Sequence, residues 1–387
     1  MNALHIILVL GKSTGGIGTH VVDLAAGLRA AGHHVTVVTD PLTATTFGID
    51  DAVLAWPDPR RPDPRSLRRL RAILRDGDIV HAHGHQAGAL VAALLPRLGR
   101  GGFRAFRGAR TSGRAHRRAN RAAVVLSLHN ESPPMTGLRS RLAERVERAA
   151  ITAADLVTGA SSDLVDRARA LGARRAELAR VPSPRVPALL SATDADRQAA
   201  RDAVRTAYGI GEQEPLIVTI SRIAPQKDLG TLVAAAQLLD TRPAWLVAGA
   251  GILELQHDLE LRARETGVRF VGPVADPSAL LLAADVFALT STWEARALVV
   301  QEALAAGVPV VASAVGGLPD LLDGLGVLIP PRDPQALARA LESLLKDPEA
   351  GRTAGDRGRE RAAAWPTSPQ MVAQWVVDYS GLIEAVG

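Results

Sequence analysis

The chain has 387 residues, 47% of them apolar, enough for two domains that each bury a core. It contains no cysteine, which excludes a disulfide scaffold, a thiol nucleophile and a cysteine-ligated metal. The formal charge is +5, but aromatic residues make up only 3%, too few to stack bases along a nucleic-acid groove, so no nucleic-acid partner is expected.

The basic residues are almost all arginine in an Ala-, Gly- and Pro-rich composition, as a GC-rich coding sequence gives; lysine stands only at Lys12, Lys227 and Lys346. The first element is "HIILVL", residues 5–10. It is short, lacks a basic leader and runs into a Gly-rich turn, so it reads as a strand and not as a signal peptide. No run of about 20 apolar residues follows anywhere, and the expected location is cytoplasmic.

The turn after this strand, Gly11–Thr14, imitates the end of a phosphate-binding P-loop, but Ile6 stands where the earlier glycine belongs. Gly16 and Gly18 begin a dinucleotide fingerprint and Asp40 ends the next strand, while Val21 replaces the third glycine; a nicotinamide reading stays open on these residues. What remains is a Gly15–Gly16 turn at a helix start, where backbone N–H groups approach an anionic ligand closely.

A helix is predicted over 17–33, then strands over 34–39 and 78–83, a helix over 86–96, a strand over 124–129, a helix over 141–150 and a strand over 155–161. Strands alternating with helices predict a parallel sheet covered on both faces. Within this half, His81, His83 and His85 share one face if their strand stays extended, a candidate metal cluster without an evident fourth ligand; the structural reading is preferred, and no metal is expected. Asp76–Asp78 imitates an Asp-x-Asp metal motif but precedes its strand, so it is discounted. Arg97–Arg121 carries nine arginines and no acid. It reads as a solvated insertion, or as a patch that meets anionic lipid or an anionic acceptor at the inner face of a membrane.

Residues 180–200 are rich in Pro and Ser and read as an interdomain linker. The rhythm then restarts, with strands predicted at 216–221, 244–250, 268–274, 285–291, 308–313 and 326–331. Two α/β domains follow, and the natural ligand site is a cleft facing the carboxyl ends of their strands.

Two stretches of the second half carry chemistry. In "ISRIAPQKDLG", a strand ends near Arg222 and a helix begins near Asp228, a plausible N-cap. Lys227 before that helix opposes the macrodipole unless an anion binds, so Arg222, Lys227 and the helix N–H groups form a candidate phosphate grip. In "STWEARALVVQEALAAG", Glu294 lies in a loop and Glu302 in a helix that is apolar on nearly every face. Buried carboxylates need donors. Arg296 supplies them in an ion-pair reading; the hydroxyls of a bound sugar or ribose supply them in a site reading. The N–H groups of Ala297, Leu298 and Val299 open the helix beside them.

"RIAPQKDLGTLVAAA" and "WEARALVVQEALAAGVPVVASAVGGLPDLL" together resemble the retaining glycosyltransferase family 4 of the GT-B fold, whose Glu-x7-Glu pair Glu294 and Glu302 fit; "GGIGTHVVDLAAGLRAAGHHVTVVT" and "DIVHAHGHQAG" are similar to its N-terminal domain. The resemblance runs from the first strand to about Pro331 and implies two Rossmann-like domains facing across a cleft. It implies an acceptor-binding domain over 1–185, rejoined by a final helix at 366–387, and a nucleotide-sugar-binding domain over 186–365. It makes Arg222 and Lys227 the diphosphate grip, Glu302 the ribose ligand and Glu294 a sugar-hydroxyl ligand. Gly16 approaches the phosphates, His129 lies beside the transferred sugar, and Val274 falls near the base pocket. Arg296 and Ala297 stand where the family usually has an aromatic residue and a glycine, "GAGILE" replaces Gly-Asp-Gly-Pro, and Asp320 stands where glutamate is commoner; these departures leave the donor open.

The expectation is a metal-independent hexose transfer from a UDP- or GDP-sugar, used as co-substrate with no cofactor, to the hydroxyl of a lipid-linked or anionic acceptor. A GT-B-like nucleotide-sugar epimerase and a nicotinamide oxidoreductase are the alternatives.

Overall fold

Apolar runs uninterrupted by polar residues are what strands covered on both faces require. The computed structural model, which describes residues 3–13, 15–57, 63–95, 121–131 and 137–386, places these runs in two parallel six-stranded sheets. Thr14 of the P-loop-like tetrad, and the Arg97–Arg121 segment apart from Arg121 itself, lie outside the described residues.

The first run of elements is β1 (His5–Leu10), α1 (Gly16–Ala30), β2 (His34–Val38), α2 (Pro41–Phe47), α3 (Pro64–Asp76), β3 (Ile79–His83), α4 (His85–Leu94), β4 (Ala123–Leu128), α5 (Gly137–Ala153), β5 (Leu156–Gly159), α6 (Ser162–Ala170) and β6 (Ala176–Leu178). Their strands lie in the order β2-β1-β3-β4-β5-β6. The chain therefore leaves β1 in one direction and resumes at β3 on its other side. Such a reversal opens a crevice beyond the carboxyl ends of the strands. Gly15 and Gly16 follow β1, His83 ends β3 and His129 follows β4, so all stand at that edge.

The second run is α7 (Val186–Ser191), α8 (Asp194–Tyr208), β7 (Leu216–Ile220), a 3₁₀ turn at Pro225–Lys227, α9 (Leu229–Ala236), β8 (Ala244–Ala248), α10 (Leu253–Arg262), β9 (Val268–Gly272), α11 (Ser278–Ala283), β10 (Val286–Leu289), α12 (Leu298–Ala305), β11 (Val310–Ser313), α13 (Leu318–Leu321), β12 (Val327–Ile329), α14 (Pro334–Lys346) and α15 (Pro348–Ala363). The order β12-β11-β10-β7-β8-β9 puts this sheet's reversal between β7 and β10, which pair through Val286 opposite Ile217 and Phe287 opposite Val218. The loop after β7 carries Arg222 and Lys227, and the loop after β10 carries Glu294. Topology alone brings these distant residues to one crevice.

Met1–Arg180 with Ser368–Gly387 form one compact unit and Val181–Thr367 the other, against sequence boundaries drawn after 185 and 365. The last helix, α16 (Ser368–Val386), returns to the first unit: Met371, Val372, Trp375, Tyr379 and Leu382 join Ile6, Leu8, Val21 and Leu24 in one buried core.

The expected linker over 180–200 does contain the boundary between the units, at Arg180 and Val181, but most of it is helical. Pro187 opens α7, where a proline without an N–H loses nothing, and Thr193 with Asp196 forms a capping box that starts α8. The Pro/Ser signal marked helix starts, and the non-helical stretch is short. Asp40 is likewise occupied locally: its carboxylate caps α2 by accepting from the N–H groups of Leu42 at 3.1 Å and Thr43 at 3.3 Å.

Candidate active site

In the second unit the loop after β7 is stitched to the loop after β10. Thr290 Oγ1 donates to the carbonyls of both Lys227 and Asp228 at 3.0 Å. The Thr292 N–H donates to the Gln226 carbonyl at 2.8 Å, and Gln226 Nε2 donates to the Trp293 carbonyl at 2.8 Å. Asp228 adopts a left-handed conformation, φ 44°, between the 3₁₀ turn and α9. It does not cap α9 with its side chain, contrary to expectation; Asp228 Oδ2 instead accepts from Thr231 Oγ1 at 2.7 Å. The sharp turn aims Lys227 back across the crevice.

Lys227 Nζ pairs there with Glu294 Oε1. Ser291 Oγ donates to the same oxygen at 2.6 Å. Glu294 is 8% exposed, and its Oε2 accepts from no described residue. The loop is held from the far side by Gly316 and Gly317. The Gly317 N–H donates to the Glu294 carbonyl at 2.8 Å, and a Cβ on Gly316 would stand 1.9 Å from that carbonyl oxygen.

Glu302, within α12, is 3% exposed and repeats the pattern. Its Oε1 accepts from Ser183 Oγ at 2.5 Å and from Arg185 Nη1 at 3.4 Å; its Oε2 accepts from no described residue. Burial raises the Glu302 carboxyl above the usual range, and the Ser183 bond and the Arg185 charge partly offset this. Gln301, next in the helix, donates through Nε2 to the Val181 carbonyl at 3.0 Å. Each glutamate thus has one oxygen fixed by the protein and one without a donor among the described residues. Neither pairs with Arg296, so the ion-pair reading through Arg296 is corrected: its guanidinium lies over the Trp365 ring, 5.4 Å from the centroid. A cation over an indole face is satisfied without a carboxylate.

Ala297 occupies the N-cap of α12 with no side-chain cap. The N–H groups of Leu298 and Val299 in its first turn bond to no described residue, whereas that of Val300 returns to the Ala297 carbonyl at 3.1 Å. Arg222 is exposed, with no side-chain bond to a described residue, and its backbone is fixed by β-bridge contact between Ile223 and Gly251. A Cβ on Gly251 would stand 2.0 Å from the Ile223 carbonyl oxygen, so the glycines of "GAGILE" serve this close approach. Val274 follows β9 and packs against the core.

In the first unit the histidine cluster differs from the one the strand suggested. His81 is tied up by Tyr379 Oη at Nδ1 and Ser127 Oγ at Nε2, both 2.7 Å. His85 opens α4 and reaches the Asn130 carbonyl through Nε2 at 2.6 Å. The residues that converge are His20 of α1, His83 and His129, whose ring nitrogens lie within 4.8 Å of one another. His83 Nδ1 and His129 Nε2 share a hydrogen bond of 3.2 Å. Burial holds His20 down to about 4 and His129 to about 3, so both rings are neutral at pH 7. Neutral imidazoles are the form that ligates a divalent metal. Gly15 is the extended N-cap of α1 and Gly16 its first residue. Gly18 meets Phe47, with a Cβ there 2.1 Å from the ring. With Asp40 spent on capping α2, the carboxylate that a dinucleotide site would turn to the ribose is occupied.

Ser183, Ser291, Arg185 and His20 were not singled out from the sequence. Ser291 lies three residues from Glu294 and was legible as a local donor; Ser183 meets Glu302 across 119 residues, a contact that no spacing announces.

Known proteins agree with this architecture. Residues 15–184 match the family model described as a glycosyl transferase 4-like domain, and residues 200–361 the one described as glycosyl transferases group 1. The chain is 28% identical over 270 residues to N-acetyl-alpha-D-glucosaminyl L-malate synthase of Bacillus anthracis, covering 67% of this chain and 68% of that one. It is 28% identical over 397 residues to GDP-mannose-dependent alpha-(1-6)-phosphatidylinositol monomannoside mannosyltransferase of Mycobacterium tuberculosis, covering 94% of each. Anabaena HepE, solved with UDP and with UDP-glucose, superposes with a TM-score of 0.78 at 19% identity over 98% of this chain and 100% of that one; this likeness shows the fold. No described helix is long and apolar enough to cross a membrane. With both sheets matched by family models and the fold shared with solved relatives, the chain belongs to the family 4 type of GT-B glycosyltransferases.

Proposed function

We propose that this glycosyltransferase moves a hexose-type sugar from a nucleoside-diphosphate sugar to an acceptor hydroxyl with retention of anomeric configuration and without a metal. One observation carries the reading: Glu294 and Glu302 each fix Oε1 on protein donors and leave Oε2 bare in a buried setting. Sugar and ribose hydroxyls are the donors such oxygens lack. Glu294 Oε2 takes a hydroxyl of the transferred sugar and Glu302 Oε2 a ribose hydroxyl. Val274 borders the base.

Lys227 has three N–H bonds and gives one to Glu294. The others, with Arg222 and the N–H groups of Ala297, Leu298 and Val299, hold the diphosphate. In transfer the bond from the anomeric carbon to the diphosphate oxygen breaks and a bond to the acceptor oxygen forms on the same face. The departing diphosphate takes the acceptor's proton, so no strong protein base is needed. The cationic grip stabilises charge that grows on the leaving group. The first unit binds the acceptor, and the Gly15–Gly16 turn and His129 are the residues it offers to substrate. Arg296, fixed over Trp365, shapes the sugar pocket from the loop between the glutamates.

Names of relatives support a UDP- or GDP-sugar as donor, since HepE was solved with UDP-glucose and the mycobacterial relative is GDP-mannose-dependent. The acceptors in the relatives' names, a malate and a phosphatidylinositol mannoside, support an anionic or lipid-linked acceptor, and the Arg97–Arg121 segment supplies charge for peripheral contact with an anionic membrane from the cytoplasmic side. The test is product analysis by NMR with UDP- and GDP-sugars, an acceptor panel and excess chelator. An α-linked product with released nucleoside diphosphate supports the reading. An epimerised sugar without acceptor, or transfer abolished by the chelator and restored by a divalent ion, contradicts it.

A further inference from the structure

We propose that His83 fixes His129 in the tautomer whose proton sits on Nδ1, making His83 a positioning residue for transfer. This deepens the reading of His129 as a sugar contact and rests on it for its functional consequence. His83 Nδ1 and His129 Nε2 stand 3.2 Å apart with the rings 19° from parallel. Two neutral imidazoles joined by one hydrogen bond leave one question: which ring donates.

The other nitrogen of His83 answers it. His83 Nε2 is sealed from solvent and has no hydrogen-bond partner. If His129 donated, the proton of His83 would have to sit on Nε2, a buried N–H with no acceptor, which folded proteins rarely contain. If His83 donates from Nδ1, its one proton is used in the bond and only a lone pair is left at Nε2. His129 Nε2 is then the acceptor, and the proton of His129 is confined to Nδ1. His129 Nδ1 bonds to no described residue. His129 therefore presents a hydrogen-bond donor, suited to the oxygen of a sugar hydroxyl.

Two further features make the arrangement rigid. His83 stacks on His81 at 4.0 Å and 27°, and His81 is clamped at both nitrogens by Tyr379 and Ser127. Burial and the neighbouring rings hold His83 well below the ordinary imidazole range and His129 at about 3, so no second proton enters the pair near neutral pH. His20 gives His83 no acceptor: its ring lies 5.8 Å away, and its own Nδ1 is sealed and unpaired.

The test is a long-range ¹H–¹⁵N correlation on the full chain labelled at histidine, with His129 assigned by its absence in His129→Gln. The expected pattern is a protonated Nδ1 and a bare Nε2 at His129. His83→Leu should convert it to a tautomer mixture, while His83→Asn, whose amide N–H reaches the place of Nδ1, should keep it. In transfer assays kcat should fall about tenfold in His83→Leu with donor KM little changed, and stay within about threefold in His83→Asn, the rescue expected of one hydrogen bond. A proton on His129 Nε2 in the wild type, or an unaltered pattern in His83→Leu, overturns the inference. The expected tautomer in a chain that transfers no sugar upholds the inference and overturns the functional reading instead.

Discussion

Gly316→Ala tests whether the loop holding Glu294 is set by backbone contact. Gly316 has φ 52°, and an added Cβ would stand 1.9 Å from the Glu294 carbonyl oxygen and 3.0 Å from Trp293 Nε1. The left-handed conformation alone costs an alanine about 1–2 kcal/mol. The clash adds to this, because the Glu294 carbonyl is anchored by the Gly317 N–H at 2.8 Å and cannot retreat without breaking that bond. Overpacking of this kind costs roughly 1–3 kcal/mol, so the total is about 2–5 kcal/mol, at about 2–4 °C of melting temperature per kcal/mol for a domain of this size. Displacing the loop by about 1 Å should lower kcat about 100-fold. Gly48→Ala is the control: φ is 61° and nothing lies within 4 Å of the new Cβ, so it should show the strain of about 1–2 kcal/mol alone and unchanged transfer. Thermal unfolding and initial rates of both variants decide the matter. A Gly316→Ala protein with wild-type kcat and no more destabilisation than Gly48→Ala refutes the reasoning.

His20 and His129 have folded pKa values of about 4 and 3, below the unfolded value of about 6.5, so the unfolded chain binds more protons in that window. The first unit should lose about 1.4 kcal/mol per pH unit for each such histidine as pH falls below 6.5; thermal unfolding against pH should show a shallower slope in His20→Leu. Glu302, whose carboxyl is raised by burial, has the opposite sign: Glu302→Gln should stabilise the second unit at neutral pH, the gain starting to shrink as pH falls through the raised folded value and gone below the unfolded value of about 4.3. The same variant should weaken donor binding roughly tenfold or more, the worth of one charge-assisted hydrogen bond. Ser183→Ala should weaken donor binding less than Glu302→Gln, because Arg185 still holds Oε1, as titration of the three proteins would show.

Much of the fold was legible because parallel strands buried on both faces write themselves as apolar runs, as in "HIILVL" and "LIVTI", and glycines or caps punctuate the helices. The Glu294–Glu302 spacing and the isolated Lys227 were legible as well, since topology puts the ends of β7 and β10 side by side. Their partners were not. Arg296 is nearer in sequence to both glutamates than Ser183 or Arg185 is to Glu302, yet it stacks on Trp365. A chain that returns through a non-helical segment into α7 can bring Ser183 to Glu302, and periodicity carries no record of that. The histidines failed for a similar reason: period-two reasoning grouped His81, His83 and His85, but β3 ends at His83, so the next turn sends His85 away and the gap is filled from α1 and from the end of β4.

The most direct test of the account is calorimetric titration of UDP and GDP into the wild type, Lys227→Ala and, as a control, Lys346→Ala, whose lysine is exposed beside Glu342. The account predicts binding of one nucleotide to the wild type and to Lys346→Ala, weakened tenfold or more in Lys227→Ala by loss of a charge-assisted bond worth about 1.5–3 kcal/mol. Equal affinity in all three proteins would contradict the diphosphate grip on which the account rests.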